Sequence, residues 1–510
     1  MTTVLATLVA ILGLGAAGLA GLRWLRVAQR EHYLPGSTSR FALRWWTATP
    51  VNVAGAALAV VGTVASVGVG LAAAAPVVIV AFGPIGLSVR GRTSQLAWTR
   101  RLRSLAGVAV LVEVIVVALL SLLSPMLAVA IGVLIVPLAI DVAAGILAPF
   151  EDRAGRRFVD QATGRLARVA PRIVGITGSY GKTSVKNHLA SLISGDLATI
   201  PSPRSFNNRA GLARAINEHL AEGTDVFVAE MGTYGPGEIA DMCAWCPPSI
   251  AVMTAIGPVH LERFGSLDVT LAAKAEITPS AEVVVINIDD ELLSGLADRL
   301  AIAGKRVIRV ASVRRDADVV VSTDETAWAI EIDGTRVGAS PVLTGLQPTN
   351  VACAIGAAIA LGLDPAEVAG RVSSLTTVEN RLGVARAPSG VTVIDDTFNS
   401  NPAGADAALS VLSGLAVAGR RAVVTPGMVE LGPRQAQENE QFGRRAAEVA
   451  DVVLVVGLTN RRSLLRGIDS AGRAKRILVP TREKAVAWVR ANLGVDDAVL
   501  YENDLPDNYP

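Results

Sequence analysis

Residues 51–89 contain no charged side chain, thirty-nine positions in succession. Such a run cannot cover a water-facing surface and is best placed in lipid, where about 20 mainly apolar residues cross as one helix. It suits two helices turning near 72–76. Three more apolar runs surround it: 2–22, ending at Arg23 and Arg26, then 104–123 and 126–149, divided at Ser124-Pro125. Residues 1–150 are therefore expected to form a transmembrane domain of about five helices. No charged segment precedes the first run, which argues for a span over a cleaved signal. Hydrophobic residues make up 51% of the 510 and charged ones only 18%, and the mean hydropathy of +0.45 is too apolar for an ordinary soluble enzyme.

Charge sets the expected topology. Residues 1–150 hold ten arginines and no lysine against Glu31, Glu113 and Asp141. The arginines cluster after the first run (Arg23, Arg26, Arg30, Arg40, Arg44) and before the fourth (Arg90, Arg92, Arg100, Arg101, Arg103), with Arg153, Arg156 and Arg157 beyond the last. The turns near 74 and 124 have none. Basic loops stay in the cytoplasm, so the N-terminus is expected outside and everything after residue 150 inside. Glu113 and Asp141 are acids within spans, read as inward packing contacts or as a grip on a polar lipid headgroup. Trp45, Trp46 and Trp98 suit the interface. The basic charge lies in the membrane segment and the remainder is net acidic, which argues against a nucleic-acid partner. Three cysteines make no disulfide framework. Cys243-x-x-Cys246 lacks the second pair of a four-thiolate zinc site and reads as structural.

A basic linker, 151–170, leads into short β-rich runs alternating with helical periodicity. Strands are expected at 172–177, 226–230, 250–254, 283–287, 392–395, 421–425 and 452–456. Helices are expected at 182–194, 237–244, 268–278, 350–362, 402–413 and 434–449. Alternation of this kind builds parallel sheets covered on both faces. The stretch 305–345, with turn residues such as Asp333-Gly334, reads as a small β excursion. A boundary near 378 divides a central domain, 171–378, from a C-terminal α/β domain, 379–510.

The segment Gly175-Ile-Thr-Gly178-Ser179-Tyr180-Gly181-Lys182-Thr183-Ser184 follows a strand and opens a helix. Glycines let the backbone fold around an anion, N–H groups and the helix N-terminus face it, and Lys182 neutralises charge. Thr183 is placed to offer a hydroxyl to Mg²⁺. Gly175 sits one residue too early for the usual G-x4-G-K-T pattern. The functional reading is nucleotide binding.

With Gly178 as its first glycine, the loop resembles that of the Mur ligases, ATP-dependent amide-forming enzymes of bacterial cell-wall synthesis. Further motifs agree in order: Asn207-Asn208, Glu230-Met-Gly232, the segment Thr254 to His260, Ala273-Lys274-Ala-Glu276, and Asn287-Ile-Asp289-Asp290. In the last domain Asn380-Arg381, Asp395-Asp396-Thr-Phe-Asn399-Ser-Asn401-Pro402 and Gly427-Met-Val-Glu430-Leu-Gly432 are similar to the branch that adds D-alanyl-D-alanine to a muramyl tripeptide. The resemblance covers 172–458. It implies a P-loop central domain with a parallel sheet and a Rossmann-like last domain.

It also implies the chemistry: a carboxylate and ATP give an acyl phosphate and ADP, and an amine then displaces phosphate. The resemblance places Gly178, Ser179, Gly181, Lys182, Thr183, Ser184, Asn350, Arg381 and Asp396 on the nucleotide. Thr183, Glu230, His260 and Lys274 would serve two Mg²⁺ ions, Lys274 as a carbamate. Lys182, Lys274 and His260 are the expected catalytic residues, and Asn207, Asn208, Asn399 and Asn401 the substrate contacts. His32, His188 and His219 read as ordinary packing or surface residues. Membrane runs stand where the family has a soluble domain gripping the UDP end. Gln347, Gly427 and Asn439 replace the family's usual histidine, aspartate and histidine, and Leu500–Pro510 replaces a Lys-Gly-Ser loop. These changes fall on substrate recognition. The expected partners are membrane lipid, an amino acid or dipeptide, and a carboxylated cell-envelope precursor, UDP-linked or lipid-linked. A poly-γ-glutamate synthase and a non-catalytic ATP-binding membrane scaffold are the alternatives.

Overall fold

The computed structural model describes residues 2–510 except 92–94, 204–205, 325, 344, 377–381, 398–399, 506–508 and 510. It divides into two compact units, one essentially Met1–Ala154 and the other Gly155–Asp504, with Gly457–Thr459 and Leu505–Pro510 joining the first.

Three described helices of the first unit are long and apolar enough to cross a membrane: Val4–Arg30, Arg100–Ser121 and Pro125–Val169. A fourth counts if Ser37–Thr47 and Pro50–Ala65, bent by 111°, are one span. The two spans expected in 51–89 are instead Pro50–Ala65, of 16 residues, and a shorter return through Gly70–Ala73 and Ala74–Phe82. Two expected loop arginines, Arg23 and Arg26, are buried. Arg23 donates to the carbonyls of Val80, Ala81 and Gly83 at 3.0, 2.7 and 3.0 Å, closing the end of Ala74–Phe82. Asp141 faces inward, accepting from Thr38 N and Ser39 N at 3.1 and 2.8 Å. It thereby caps Ser37–Thr47, whose own cap residue, Gly36, has no side chain to do so,.

The expected basic linker 151–170 is almost wholly helical. Pro125–Val169 is a single helix of 45 residues. Its last turns present Val159, Ala162 and Leu166 to a buried cluster with Ile173, Leu212 and Phe227. Arg165 donates to the carbonyls of Leu220 and Asn217, at the end of helix Arg209–His219.

The second unit contains two sheets. The first comprises β1 Arg172–Thr177, β2 Thr199–Pro201, β3 Val226–Glu230, β4 Ile250–Met253, β5 Val283–Asn287, β6 Arg306–Ala311, β7 Val319–Asp324, β8 Ala327–Ile332 and β9 Thr335–Pro341, in the order 2-3-1-4-5-6-7-8-9. It is parallel through β7, and β8 and β9 add antiparallel. The β excursion of 305–345 is thus an extension of the main sheet. The second sheet comprises β10 Gly383–Arg386, β11 Thr392–Asp396, β12 Arg421–Thr425, β13 Val452–Val456, β14 Lys475–Val479 and β15 Ala498–Glu502, ordered 10-11-15-12-13-14, with only β10 antiparallel. The expected boundary at 378 lies outside the described residues, between η-turn Val372–Ser374 and β10.

In the first sheet the chain steps from β1 outward in both directions, to β3 and to β4. Open α/β sheets leave a crevice at the carboxyl ends of strands where the order reverses. The phosphate loop follows β1, Glu230 ends β3, and the turn carrying Thr254 to His260 follows β4.

Candidate active site

Helix Lys182–Ile193 begins at Gly181, whose φ of +84° is open to glycine,. The Asn350 amide oxygen lies where a β-carbon on Gly181 would sit, and the Thr254 hydroxyl does the same at Gly178. The loop is tied down from below: Ser179 N donates to Ala255 O at 2.7 Å, and Gly257 N donates to Ser179 Oγ at 3.0 Å. The Tyr180 hydroxyl sits against Gly257. Gly175 has another reason to be glycine, since Ile277 and Pro248 would lie 2.9 and 3.0 Å from its β-carbon. It makes room for the Ile277 turn and Pro248 beside β1.

A cleft of about 430 Å³ opens above the loop, lined by Ser179, Lys182, Asn207, Asn208, Gly232, Thr233, Tyr234, Glu238, Val259, His260 and Lys274. Five of the expected site residues besides the loop serine therefore share one cavity. Lys182 Nζ folds back onto Gly178 O at 2.7 Å. Glu230 lies buried behind it, where Oε2 accepts from Thr183 Oγ1 at 3.0 Å and Oε1 from Asn207 Nδ2 at 3.2 Å. Lys186 Nζ pairs with the same Oε2 at 3.3 Å, both side chains 2% exposed. Lys186 escaped the sequence reading. The available signal was its position one helical turn beyond Lys182, facing the strand that ends in Glu230.

Lys274, in the last turn of helix Leu267–Ala275, is 3% exposed. Burial first, and the nearby Lys182 charge second, hold its ammonium well below the usual lysine range,. A buried lysine that sheds its proton is a nucleophilic amine. Glu276 caps the neighbouring helix Glu238–Trp245, accepting from Gly237 N and Ala240 N at 2.6 and 3.0 Å. His260 (φ +57°) pairs through Nδ1 with Glu430 of the C-terminal sheet's loop, and the Tyr234 ring meets it edge-on at 4.9 Å.

The remaining expected residues are distributed differently. Asn208 lines the cleft but also caps helix Arg209–His219, accepting from Gly211 N at 2.8 Å. Asn401 caps helix Pro402–Gly414 through Gly404 N at 2.9 Å and is not among the cleft's lining residues. Asp396 ends β11, where its carbonyl accepts from Asn503 N at 3.0 Å. Ser184 lies in the first turn after the loop. Arg381 and Asn399 lie outside the described residues. Cys243, Cys246 and Cys353 are free and buried. His188 is buried in the core, which pushes its pKa down to about 4.

Among the described residues no three of His, Cys, Asp and Glu cluster as a metal cage. Mg²⁺ seldom uses one, taking one or two protein oxygens and completing its octahedron with phosphate and water. The Thr183 hydroxyl and Glu230 carboxylate, 3.0 Å apart beside the cradle, suit that arrangement. Lys274 as an amine supplies no ligand.

Residues 176–358 match the Mur ligase middle domain and 380–501 the Mur ligase glutamate ligase domain. The UDP-N-acetylmuramoyl-tripeptide–D-alanyl-D-alanine ligase of Mycobacterium leprae is 31% identical over 365 residues, 64% of this chain and 70% of that protein. This chain belongs to the Mur ligase family. The enzyme of the same name from Escherichia coli is 29% identical over 57% of this chain and 65% of its own length. MurF ligase from Thermotoga maritima, solved in complex with ADP, superposes with TM-score 0.57 at 27% identity, over 69% of this chain and 80% of that one. MurF from Acinetobacter baumannii shares the fold at TM-score 0.59 and 23% identity, over 69% and 77%. As a Mur ligase the protein is an ATP-dependent amide-bond-forming enzyme, and the family generally uses Mg²⁺ with its nucleotide.

Proposed function

We propose that this protein is a membrane-anchored Mur ligase that joins D-alanyl-D-alanine, or a similar amino acid or dipeptide, to a carboxylated cell-envelope precursor. The observation that carries the reading is the shared cleft of Lys182, His260 and Lys274 above the phosphate loop. Two anions, the carboxylate and the γ-phosphate, must approach one another there, so positive charge has to be gathered without blocking in-line attack. Lys182 supplies part of it, and Mg²⁺ held by Thr183 and Glu230 supplies the rest when bound. Lys274, as a neutral amine, would add CO₂ with loss of a proton, and the two oxygens of the resulting carbamate would be placed to hold a second Mg²⁺. The carboxylate oxygen attacks the γ-phosphorus as ADP leaves. The amine nitrogen then attacks the acyl carbon, and phosphate departs.

Residues ahead of the matched region form apolar helices in place of a soluble domain, which supports a lipid-linked acceptor at the inner leaflet. Mur ligases are cytoplasmic enzymes, so the ligase domains belong on that side. The test is ADP release by the full chain in detergent. UDP-linked muramyl tripeptide with D-alanyl-D-alanine is compared with a lipid extract plus amino acids. Release with either acceptor, lowered on the order of 10²–10³-fold in Lys182→Ala, is the expected result; release that Lys182→Ala leaves intact rejects the assignment.

A further inference from the structure

His260 and Glu430 are 170 positions apart and belong to loops of different sheets. The two loops meet at three places. Glu430 Oε2 pairs with His260 Nδ1. Glu262 N donates to Glu430 O at 3.4 Å. Gly432, at φ +55°, lies so near the turn that an added β-carbon would sit 3.2 Å from Glu262 N. Both paired residues adopt left-handed backbone, His260 at φ +57° and Glu430 at +63°, a conformation non-glycine residues hold only where their surroundings enforce it.

Here the enforcement is visible. The Asn439 amide is fully buried, accepting from Met428 N at 2.8 Å and donating to Met428 O at 2.9 Å. Asn460 donates to Pro426 O and Met428 O, both at 3.0 Å. Asn503 donates to Gly427 O at 2.7 Å. Three amides thus clamp the loop that ends in Glu430. A latch alone would need none of this precision, since a partly exposed ion pair contributes little to stability,.

We propose that Glu430 is a positioning residue that the C-terminal domain lends to the metal centre. Its carboxylate accepts the Nδ1 proton of His260, which fixes the tautomer and leaves Nε2 as the lone-pair nitrogen. Carboxylate partners play this part for metal-bound histidines generally, orienting the ring and raising its basicity. The proposal rests on the reading of His260 as a metal ligand. It makes metal affinity depend on the seating of the 427–432 loop against the 260–262 turn.

The test is Mn²⁺ titration, followed by electron paramagnetic resonance, on the detergent-solubilised full chain with ADP present. Glu430→Ala is expected to weaken Mn²⁺ binding about 10–100-fold. Glu430→Gln, whose amide oxygen still accepts from Nδ1, should stay within a few-fold of the parent, and kcat should fall in Glu430→Ala with little change in KM for ATP. Unaltered Mn²⁺ affinity in Glu430→Ala, with affinity lost in His260→Ala, overturns the role of Glu430 and spares that of His260. Unaltered affinity in His260→Ala overturns both. Equal damage from Gln and Ala overturns the tautomer role, because the charge rather than the accepted proton would then matter.

Discussion

At the residue scale, the same lysine types do different work because their surroundings differ. Lys182 curls onto loop carbonyls, Lys186 is spent on Glu230, and Lys274 is buried without an ion-pair partner among the described residues. Of the three, Lys274 is the one whose burial favours the neutral amine that the proposed carbamate requires,. Lys274→Ala should abolish turnover, and short carboxylic acids such as acetate should restore part of it by supplying the missing anionic oxygens. A fully active Lys274→Ala sinks the carbamate role. The motif spacing pointed to Lys182, Glu230, His260 and Lys274, each at an element boundary that sequence order dictates: Lys182 opens a helix, Glu230 ends β3, His260 precedes a short helix and Lys274 lies in the last turn of another. It concealed Lys186 and Glu430. Lys186 looks like any helix lysine until the fold brings β3 beside it, and Glu430 reaches the site across two sheets, a contact that no local pattern encodes. Nor could spacing distinguish Asn207, which bonds Glu230, from Asn401, which caps a helix.

At the scale of elements, the apolar runs of the parallel strands were readable, because strands buried on both faces are continuous hydrophobic segments. β2, of three residues, and β10, β14 and β15 were missed. β14 carries charge in Lys475-Arg476 and β15 ends in Tyr501-Glu502, so neither reads as a buried strand. β15 nonetheless occupies the middle of its sheet and places Glu502 beside Ser400, which donates to Oε1, and Thr425, whose hydroxyl donates to Oε2 at 2.6 Å. Burial pushes this carboxyl up to about 7, Asp396 adding to the rise and the two hydroxyls opposing it. A raised acid binds its proton more tightly folded than unfolded. Its contribution is therefore complete below the unfolded carboxylate pKa of about 4.3 and is lost as pH climbs toward 7. The loss is on the order of 4 kcal/mol at most, at about 1.4 kcal/mol for each unit of displacement. Glu502→Gln should match the parent's melting temperature near pH 4 and exceed it at pH 8. A difference between the two proteins that does not change with pH would remove Glu502 as the cause.

For the whole molecule, the number of crossings decides which side of the membrane the first helix begins on. Sequence alone suggested five spans, whereas three described helices have the length, or four if the bent pair is one span. Three and five agree on the outcome; four reverses it. The deciding contact is at the base of the hairpin formed by Pro50–Ala65 and Ala74–Phe82. Asn52 Nδ2 donates to Ile85 O at 3.2 Å and Ile85 N donates to Asn52 Oδ1 at 2.9 Å. Arg23, at the end of the first helix, closes the same end through Val80, Ala81 and Gly83. The hairpin thus enters and leaves at one level. In a bilayer such a hairpin would add an even number of passages, whether its short arms crossed or only dipped. With ATP-using domains in the cytoplasm and an odd total, a reporter fused ahead of Thr2 should lie outside, where a membrane-impermeant thiol reagent labels an added cysteine in intact cells. Labelling only after the membrane is opened would mean an even count, with Ser37–Thr47 and Pro50–Ala65 forming one bent span. The Asn52–Ile85 contact would then have to join segments that belong to opposite faces of the bilayer.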